Sequence, residues 1–235
     1  MSEKQRLEDV SSWYLNEQLG VDRILIDFRF DTLKKFMKGP AGLELGPADG
    51  VMTRHLVAQF ERLTVVDAAL PLLNQIPTYP NLTKIHSLFE DFAPMERFNT
   101  IIMEHILEHV DDPVALLRSG KKWLAQEGRI LAGVPNAQSI HRLAAVKMGL
   151  LETPDTLNPR DLAQGHRRVY TPKTFRSDIE KAGLKIAEMG GVFLKPLSNQ
   201  QIEDHWSPQM IKGFYELGRD FPEFTADIYA VCTAS

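Results

Sequence analysis

Cysteine, basic charge and long apolar runs are scarce in this sequence, and each scarcity excludes a class of protein. Among the 235 residues, Cys232 is the only cysteine, which excludes a disulfide framework and a zinc site built from several cysteines. The 31 acidic residues outnumber the 27 basic ones, and the net charge of −4 is unlike the basic face of nucleic-acid-binding proteins. No apolar run reaches the roughly 18 residues of a membrane span. We therefore expect binding to neither nucleic acid nor membrane.

The length and the first residues of the sequence limit the number of domains and the cellular location that we expect. The start, MSEKQRLEDVSSW, lacks the apolar core of a signal peptide, which predicts a cytoplasmic protein. A chain of 235 residues fits one large domain. It can bury about 70% of its unfolded surface, so it needs no disulfide or metal for stability. We expect a single domain over residues 1–235, either a monomer or a homodimer.

Short apolar stretches alternate with helical patterns through the middle of the chain, which predicts a parallel sheet covered on both faces. A helix is expected to begin at Pro113, which suits the first helical position, and to end near Gly128. Residues 184–189 and 227–232 flank a long insertion and predict two antiparallel strands at one edge. The expected strands before them are residues 41–45, 63–66, 82–85, 100–103 and 129–134.

The loop after the first predicted strand carries the strongest motif. Glu44 lies within that strand, and Gly46 and Gly50 follow where a ligand would approach the backbone. The spacing is G-x-x-x-G, so the dinucleotide fingerprint G-x-G-x-x-G fails at its second glycine. Asp67 ends the run LTVVD about twenty residues later, where a carboxylate can accept hydrogen bonds from both hydroxyls of a ribose.

The motifs ELGPADG, VVD, FEDF, FNTIIMEHILEHVDDP and GRILAGVPN, in this order, resemble those of class I S-adenosylmethionine-dependent methyltransferases. The resemblance covers roughly residues 40–190. It implies a doubly wound α/β fold with a seven-stranded sheet of order 3-2-1-4-5-7-6, in which strand 7 is antiparallel. It also implies a cofactor-binding core over residues 39–136, an N-terminal helical lid over residues 1–38, and acceptor-side insertions over residues 137–170 and 195–224.

The resemblance also implies roles for single residues. Asp67 and the neighbouring Ala68 bind the ribose, while Phe89 and Glu90 hold adenine. Leu88 occupies a position that is often Asp in relatives, so adenine recognition shifts toward Glu90 or Asp91. The four residues that line the methionine moiety of the cofactor are Glu44, Gly46, Asp49 and Gly50. The two residues closest to the reacting end of the cofactor are Glu104 and His105.

The run His105-Ile106-Leu107-Glu108-His109 spells H-x-x-E-H, an inverted zinc-protease pattern. That chemistry needs both histidines on one face of a helix. Here the run follows an apolar strand and precedes the helix expected from Pro113, which predicts a loop. We therefore expect no metal site.

Acceptor-side candidates lie farther along the chain. His105 and His166 compete as the general base, which only an acceptor with a proton of high pKa requires. Arg167 or Arg168 could clamp an anionic acceptor group.

The run at residues 165–172 resembles small-molecule members of the same family, which implies that Tyr170 flanks the acceptor pocket. Thr171 and Pro172 predict the cap and the first position of a helix. The alternative for Arg167, Arg168 and Tyr170 is a solvated arginine and a tyrosine in the core. Tyr14, on the N-terminal lid, is a further candidate for substrate binding, against a packing role.

The resulting hypothesis is methyl transfer from S-adenosylmethionine to an oxygen or nitrogen of a small molecule. The Asn-Pro-Pro-aromatic motif of DNA and protein-glutamine methyltransferases is absent, and Val134-Pro135-Asn136 stands in its region. Two alternatives remain open: a non-catalytic or regulatory cofactor-binding protein of the same fold, and an NAD-dependent oxidoreductase.

Overall fold

The computed structural model describes residue 6 and residues 20–234. Tyr14, the substrate-binding candidate of the proposed lid, lies outside this described part. The first described helix is α1 (Gly20–Leu33), which continues into a short 3-10 turn at Lys34–Phe36. Across residue 6 and residues 20–234, no helix is both long and apolar enough to cross a membrane.

A seven-stranded sheet with the order β3-β2-β1-β4-β5-β7-β6 forms the centre of the molecule. Strands β1 to β5 pair in parallel, whereas β7 runs antiparallel to both β5 and β6. The predicted order and the antiparallel seventh strand are therefore confirmed. The strands are β1 (Ala41–Leu45), β2 (Arg62–Asp67), β3 (Leu82–His86), β4 (Phe98–Glu104), β5 (Leu124–Pro135), β6 (Leu184–Val192) and β7 (Asp227–Ala234).

Helices cover both faces of this sheet, because apolar side chains leave its central strands in both directions. In β4, Ile101 packs in one apolar cluster and Ile102 in another. The first cluster includes Trp123 and Phe175 from helices on one side. The helices after α1 are α2 (Val51–Leu56), α3 (Leu70–Gln75), α4 (Pro113–Trp123), α5 (Ile140–Lys147), α6 (Pro159–Ala163), α7 (Pro172–Lys181), α8 (Asn199–His205) and α9 (Pro208–Leu217).

Local sequence signals begin two of these helices as expected. The Asp112 carboxylate accepts a hydrogen bond from the Ala115 backbone N–H at 2.8 Å, ahead of Pro113 in the first turn of α4. The Thr171 hydroxyl caps α7 in the same way. The helix predicted over Thr171-Pro172 is therefore confirmed.

The predicted end of α4 is wrong. The helix stops at Trp123, and β5 begins at Leu124 instead of near Arg129. Leu124 pairs with Phe98 at the start of β4, and a bulge separates this pair from the regular register. Gly128 lies inside this paired region, where an added Cβ would be 2.8 Å from the Phe98 carbonyl oxygen. Sheet pairing, which is a tertiary contact, outweighs the helical pattern here.

The segments between the last strands are helical. Residues 137–170 contain α5 and α6, and residues 195–224 contain α8, α9 and a 3-10 turn at Pro222–Phe224. Side chains from both segments reach the carboxyl ends of the parallel strands, where the candidate site lies.

Candidate functional site

A cavity of about 530 Å³ opens at the carboxyl ends of β1, β2, β4 and β5. Parallel strands end together at one edge of a sheet, so residues distant in sequence meet there. Most of the predicted cofactor residues line this cavity, together with the two predicted histidines: Glu44, Gly46, Asp49, Asp67, Phe89, Glu104, His105 and His166. Gly50 and Ala68 are direct chain neighbours of lining residues, whereas Glu90 is exposed and does not line the cavity.

The turn after β1 has a backbone that suits glycine. Gly46 has a φ of +64° and Gly50 a φ of +83°. An added Cβ on Gly46 would overlap the side chain of Ile106, whereas the Gly46 N–H donates to the Val66 carbonyl at 2.9 Å. The glycine therefore allows the left-handed turn and leaves room for the side chain of Ile106 against it.

Glu44 is an acidic side chain almost fully removed from water, with 3% of its surface exposed. The Thr53 hydroxyl donates to its Oε2 at 2.6 Å. Burial raises the pKa of Glu44 to about 8, although the Thr53 hydrogen bond opposes the rise. Among the described residues no basic side chain pairs with Glu44, and a buried carboxyl group of this kind in a cavity wall suits a cationic ligand group.

Asp67 lies at the end of β2, as the sequence predicts. Its Oδ1 accepts a hydrogen bond from the Ala69 N–H at 2.8 Å, which orients the carboxylate. Burial raises the pKa of Asp67 to about 6. Asp67 lines the cavity at the carboxyl end of its strand, where ribose-binding carboxylates lie in doubly wound sheets.

The opposite end of the cavity contains an ionic network that sequence analysis missed. Arg29 of α1 and Asp227 of β7 form a largely buried pair, with Nε 2.9 Å from Oδ2. Burial alone would raise the pKa of Asp227, but Arg29 and then His105 outweigh it and hold that pKa below its usual range. The Nε2 atom of His105 lies 3.4 Å from Oδ1 of Asp227. Nothing local in sequence connects Arg29 with Asp227, so only the fold reveals the pair.

Several buried titratable groups gather beside this pair. Burial raises the pKa of Glu104 to about 8 and that of Glu108 well above its usual value. Burial lowers the pKa of His166 to about 4, although Asp161 opposes the change. Burial also lowers the pKa of His105 and, more strongly, that of His109. The histidines are therefore neutral near pH 7, with a ring nitrogen lone pair available.

The H-x-x-E-H run forms a loop of turns between β4 and α4, as predicted, and not a helix. Its first residue, His105, has a left-handed backbone with φ of +53°. The loop nevertheless brings Glu108 and His109 next to His166, so it contributes more to the site than sequence spacing indicated.

The expected acceptor clamp is not where the sequence placed it. Arg167 and Arg168 do not line the cavity. Arg167 donates to the His109 carbonyl at 2.8 Å and pairs with Asp111 at 2.7 Å. Arg168 donates to the carbonyls of Leu107 and Val110 at 2.7 and 2.6 Å. Both guanidinium groups hold the 105–111 loop in place because its backbone carbonyls need donors.

Tyr170 is also absent from the cavity wall. It is 2% exposed, and its hydroxyl donates to Asp178 at 3.2 Å. Burial raises the pKa of this phenol above its usual range. The core alternative for Tyr170 is therefore the one that the structure supports.

Comparison with known proteins identifies the family. A family model described as a methyltransferase domain matches residues 18–189. The chain belongs to this family, within the class I S-adenosylmethionine-dependent methyltransferases that its sheet order defines. A sequence search of curated proteins found no match.

Solved structures share the fold at low identity. The CcbJ methyltransferase from Streptomyces caelestis has a TM-score of 0.65 and 15% identity, with both chains fully covered. The N-methyltransferase NodS from Bradyrhizobium japonicum, solved with S-adenosyl-L-homocysteine, has a TM-score of 0.57 and 16% identity, covering 97% of this chain and 96% of that one. A chain from the complex of the Haloferax volcanii Trm112 activator and a methyltransferase has a TM-score of 0.63 and 14% identity, covering 97% and 98%.

Proposed function

We propose that this protein transfers a methyl group from S-adenosylmethionine to an oxygen or nitrogen of a small molecule. One observation carries the proposal: a single cavity joins the glycine turn, Glu44 and Asp67 to the buried histidines at its other end. A methyl donor and its acceptor must meet in one space that excludes water, and this cavity provides both ends of such a space.

The residues of the first end fit the cofactor. S-adenosylmethionine, when bound, supplies a methyl group on a positively charged sulfur. Glu44 would hold the ammonium of the methionine moiety, since its buried carboxyl group pairs with no basic side chain in the described part of the chain. Gly46 lines the cavity beside Glu44, and Asp67 would accept hydrogen bonds from the ribose hydroxyls. Phe89 lines the cavity and would pack against the adenine.

The size of the cavity and the lining of its other end favour a small acceptor. The cavity of about 530 Å³, which cofactor and acceptor would share, lies within the range of about 300–1,000 Å³ that is typical of small-molecule sites. The two insertions supply polar side chains to the wall, among them His141, Asn158 and Lys195. Burial lowers the pKa of Lys195, with Asp22 opposing the change. His105 and His166 would face the acceptor at this end.

The test follows the label from methyl-labelled S-adenosylmethionine. The protein is incubated with a panel of hydroxyl, amino and carboxyl compounds of metabolite size, and separately with total RNA and with a protein extract. We expect label only in small-molecule products. Transfer to RNA or protein with no transfer to any small compound would contradict the acceptor class. Calorimetry with S-adenosyl-L-homocysteine should show binding, and NAD serves as the control ligand that should not bind.

A further inference from the structure

A cluster of three side chains at the acceptor end has the composition of a metal site. Glu108 and His109 belong to the loop after β4, and His166 follows α6. One candidate ligand atom from each residue lies within 4.8 Å of the other two. In a four-coordinate zinc site with bonds of about 2.1 Å, ligand atoms are about 3.4 Å apart. A small inward movement of these side chains would therefore place all three on one ion.

The carboxylate of Glu108 is buried beside His105, whose Nδ1 lies 3.3 Å from Oε1. The Glu108 side chain has no exposed surface. Neither of its oxygens accepts a hydrogen bond from another residue in the described part of the chain. Burying such a group without a hydrogen bond is unfavourable, and more so if it is charged. A cation at this point would satisfy both oxygens.

Each histidine ring has an oxygen atom of the protein nearby, although the oxygen beside Nδ1 of His166 lies beyond hydrogen-bond distance. A metal-ligating histidine uses one ring nitrogen for the metal and directs the other toward a carboxylate or a backbone carbonyl. The Nδ1 atom of His166 lies 3.6 Å from Oδ1 of Asp161. The ring of His109 has a hydrogen bond with the backbone of Gly165. The two rings are almost perpendicular, at 87°, with centroids 4.7 Å apart.

The two segments that carry the cluster are joined independently of it. The Arg167 N–H donates to the Glu108 carbonyl at 2.8 Å, and the Arg167 side chain donates to the His109 carbonyl. Arg168 adds two bonds to the same loop. These contacts hold Glu108 and His109 against the segment of His166 without any ion. The site is therefore pre-organised, which reduces the cost of binding.

From this geometry we propose that Glu108, His109 and His166 bind one divalent transition-metal ion. Two imidazoles and one carboxylate suit Zn²⁺, Co²⁺ or Fe²⁺ better than Mg²⁺, which prefers oxygen ligands. Three protein ligands leave a coordination position open toward the cavity that His166 and His109 line. The sequence predicted no metal site because both histidines of H-x-x-E-H would have to lie on one helix. The second imidazole comes instead from His166, 57 positions after His109.

The ion would narrow the acceptor class, an inference that rests on the proposed function. An open coordination position binds an acceptor oxygen, such as a hydroxyl or carboxylate, and favours its deprotonated form. His109 and His166 would then be ligands and not bases, and His105 would stand beside Glu108, with Nδ1 3.3 Å from Oε1. An acceptor that presents an oxygen to the ion is therefore expected.

The test is a titration of the chelator-treated full-length protein with Co²⁺, followed by visible absorption, and with Zn²⁺, followed by calorimetry. We expect one equivalent to bind. Glu108→Gln, His109→Ala and His166→Ala should each weaken binding at least tenfold. His141→Ala is the matched control, because His141 is another buried histidine of the same cavity outside the cluster. It should bind metal as the wild type does.

The remaining outcomes separate this inference from the proposed function. No binding by the wild type, or equal binding by all variants, would overturn the metal site. Circular dichroism and binding of S-adenosyl-L-homocysteine are measured on the same samples, so a variant that fails to fold is recognised and replaced by His166→Gln, which keeps a polar side chain. Cofactor binding without metal binding refutes the metal site alone. Metal binding without cofactor binding refutes the methyltransferase proposal alone.

Discussion

Replacing Glu44 by Gln should make the ligand-free protein more stable at alkaline pH and its cofactor site weaker. Glu44 is buried at the end of β1, and its hydrogen-bond partner there is the Thr53 hydroxyl at 2.6 Å. Glutamine has nearly the same shape and can keep a hydrogen bond with Thr53. It removes only the ability to carry a negative charge in this buried position.

The size of the effect on stability follows from the pKa of Glu44. Burial raises that pKa from 4.5 to about 8 in the folded protein. The carboxyl group therefore favours folding when protonated, and its contribution is fully present below pH 4.5 and is lost as the pH rises through about 8. At about 1.4 kcal/mol per pH unit, the loss is at most about 5 kcal/mol if Glu44 keeps its buried position. The Gln variant should not show this loss.

The same substitution, Glu44→Gln, should weaken binding of the cofactor. Near pH 7 the free protein holds a proton on Glu44, and pairing with the cofactor ammonium requires its release. Wild-type affinity should therefore rise up to about tenfold per pH unit between pH 7 and 8. Asp67, whose pKa is raised to about 6 by burial, is already ionised in this range. Glu104, whose pKa burial raises to about 8, titrates in both proteins and cancels in the comparison.

Two measurements test this reasoning. Urea unfolding from pH 5 to 9 gives the difference in stability between Glu44→Gln and the wild type, which should grow with pH. Calorimetry with S-adenosyl-L-homocysteine in buffers of different ionisation enthalpy should show close to one more proton released by the wild type than by the variant. Glu61→Gln, at an exposed carboxylate outside the cavity wall, is the control and should change neither. Equal proton release by the wild type and Glu44→Gln would refute the assigned role of Glu44.

Two further predictions concern the same end of the cavity. Asp67→Asn should weaken cofactor binding by about 1–3 kcal/mol, the scale of hydrogen bonds lost at a charged group; unchanged affinity in calorimetry would remove Asp67 from the ribose role. Gly46→Ala should destabilise the protein more than Gly149→Ala in thermal unfolding, because both glycines have positive φ but only Gly46 has a side chain, that of Ile106, in the way of a Cβ. Equal losses would indicate backbone strain alone.

Alternating apolar runs, helix caps and the glycine turn were enough to predict most of the sheet. Strand positions were recovered to within a few residues because burial on both faces leaves short, continuous apolar runs in the sequence. The beginnings of α4 and α7 followed from Pro113 and Thr171, since caps act within one turn. The end of α4 was missed, because pairing of Leu124 with Phe98 is a contact between distant positions.

The sequence by itself also determined the end of the cavity where Glu44, Gly46 and Asp67 lie, because a strand followed by a tight turn places those residues locally. Only the tertiary structure decided the opposite end. It paired Arg29 with Asp227, turned Arg167 and Arg168 toward loop carbonyls, and placed His166 beside Glu108. Those contacts depend on how loops and insertions pack over the sheet edge. No local period or spacing in the sequence predicts such packing. It depends on burial and on the need of every buried polar group for a hydrogen-bond partner.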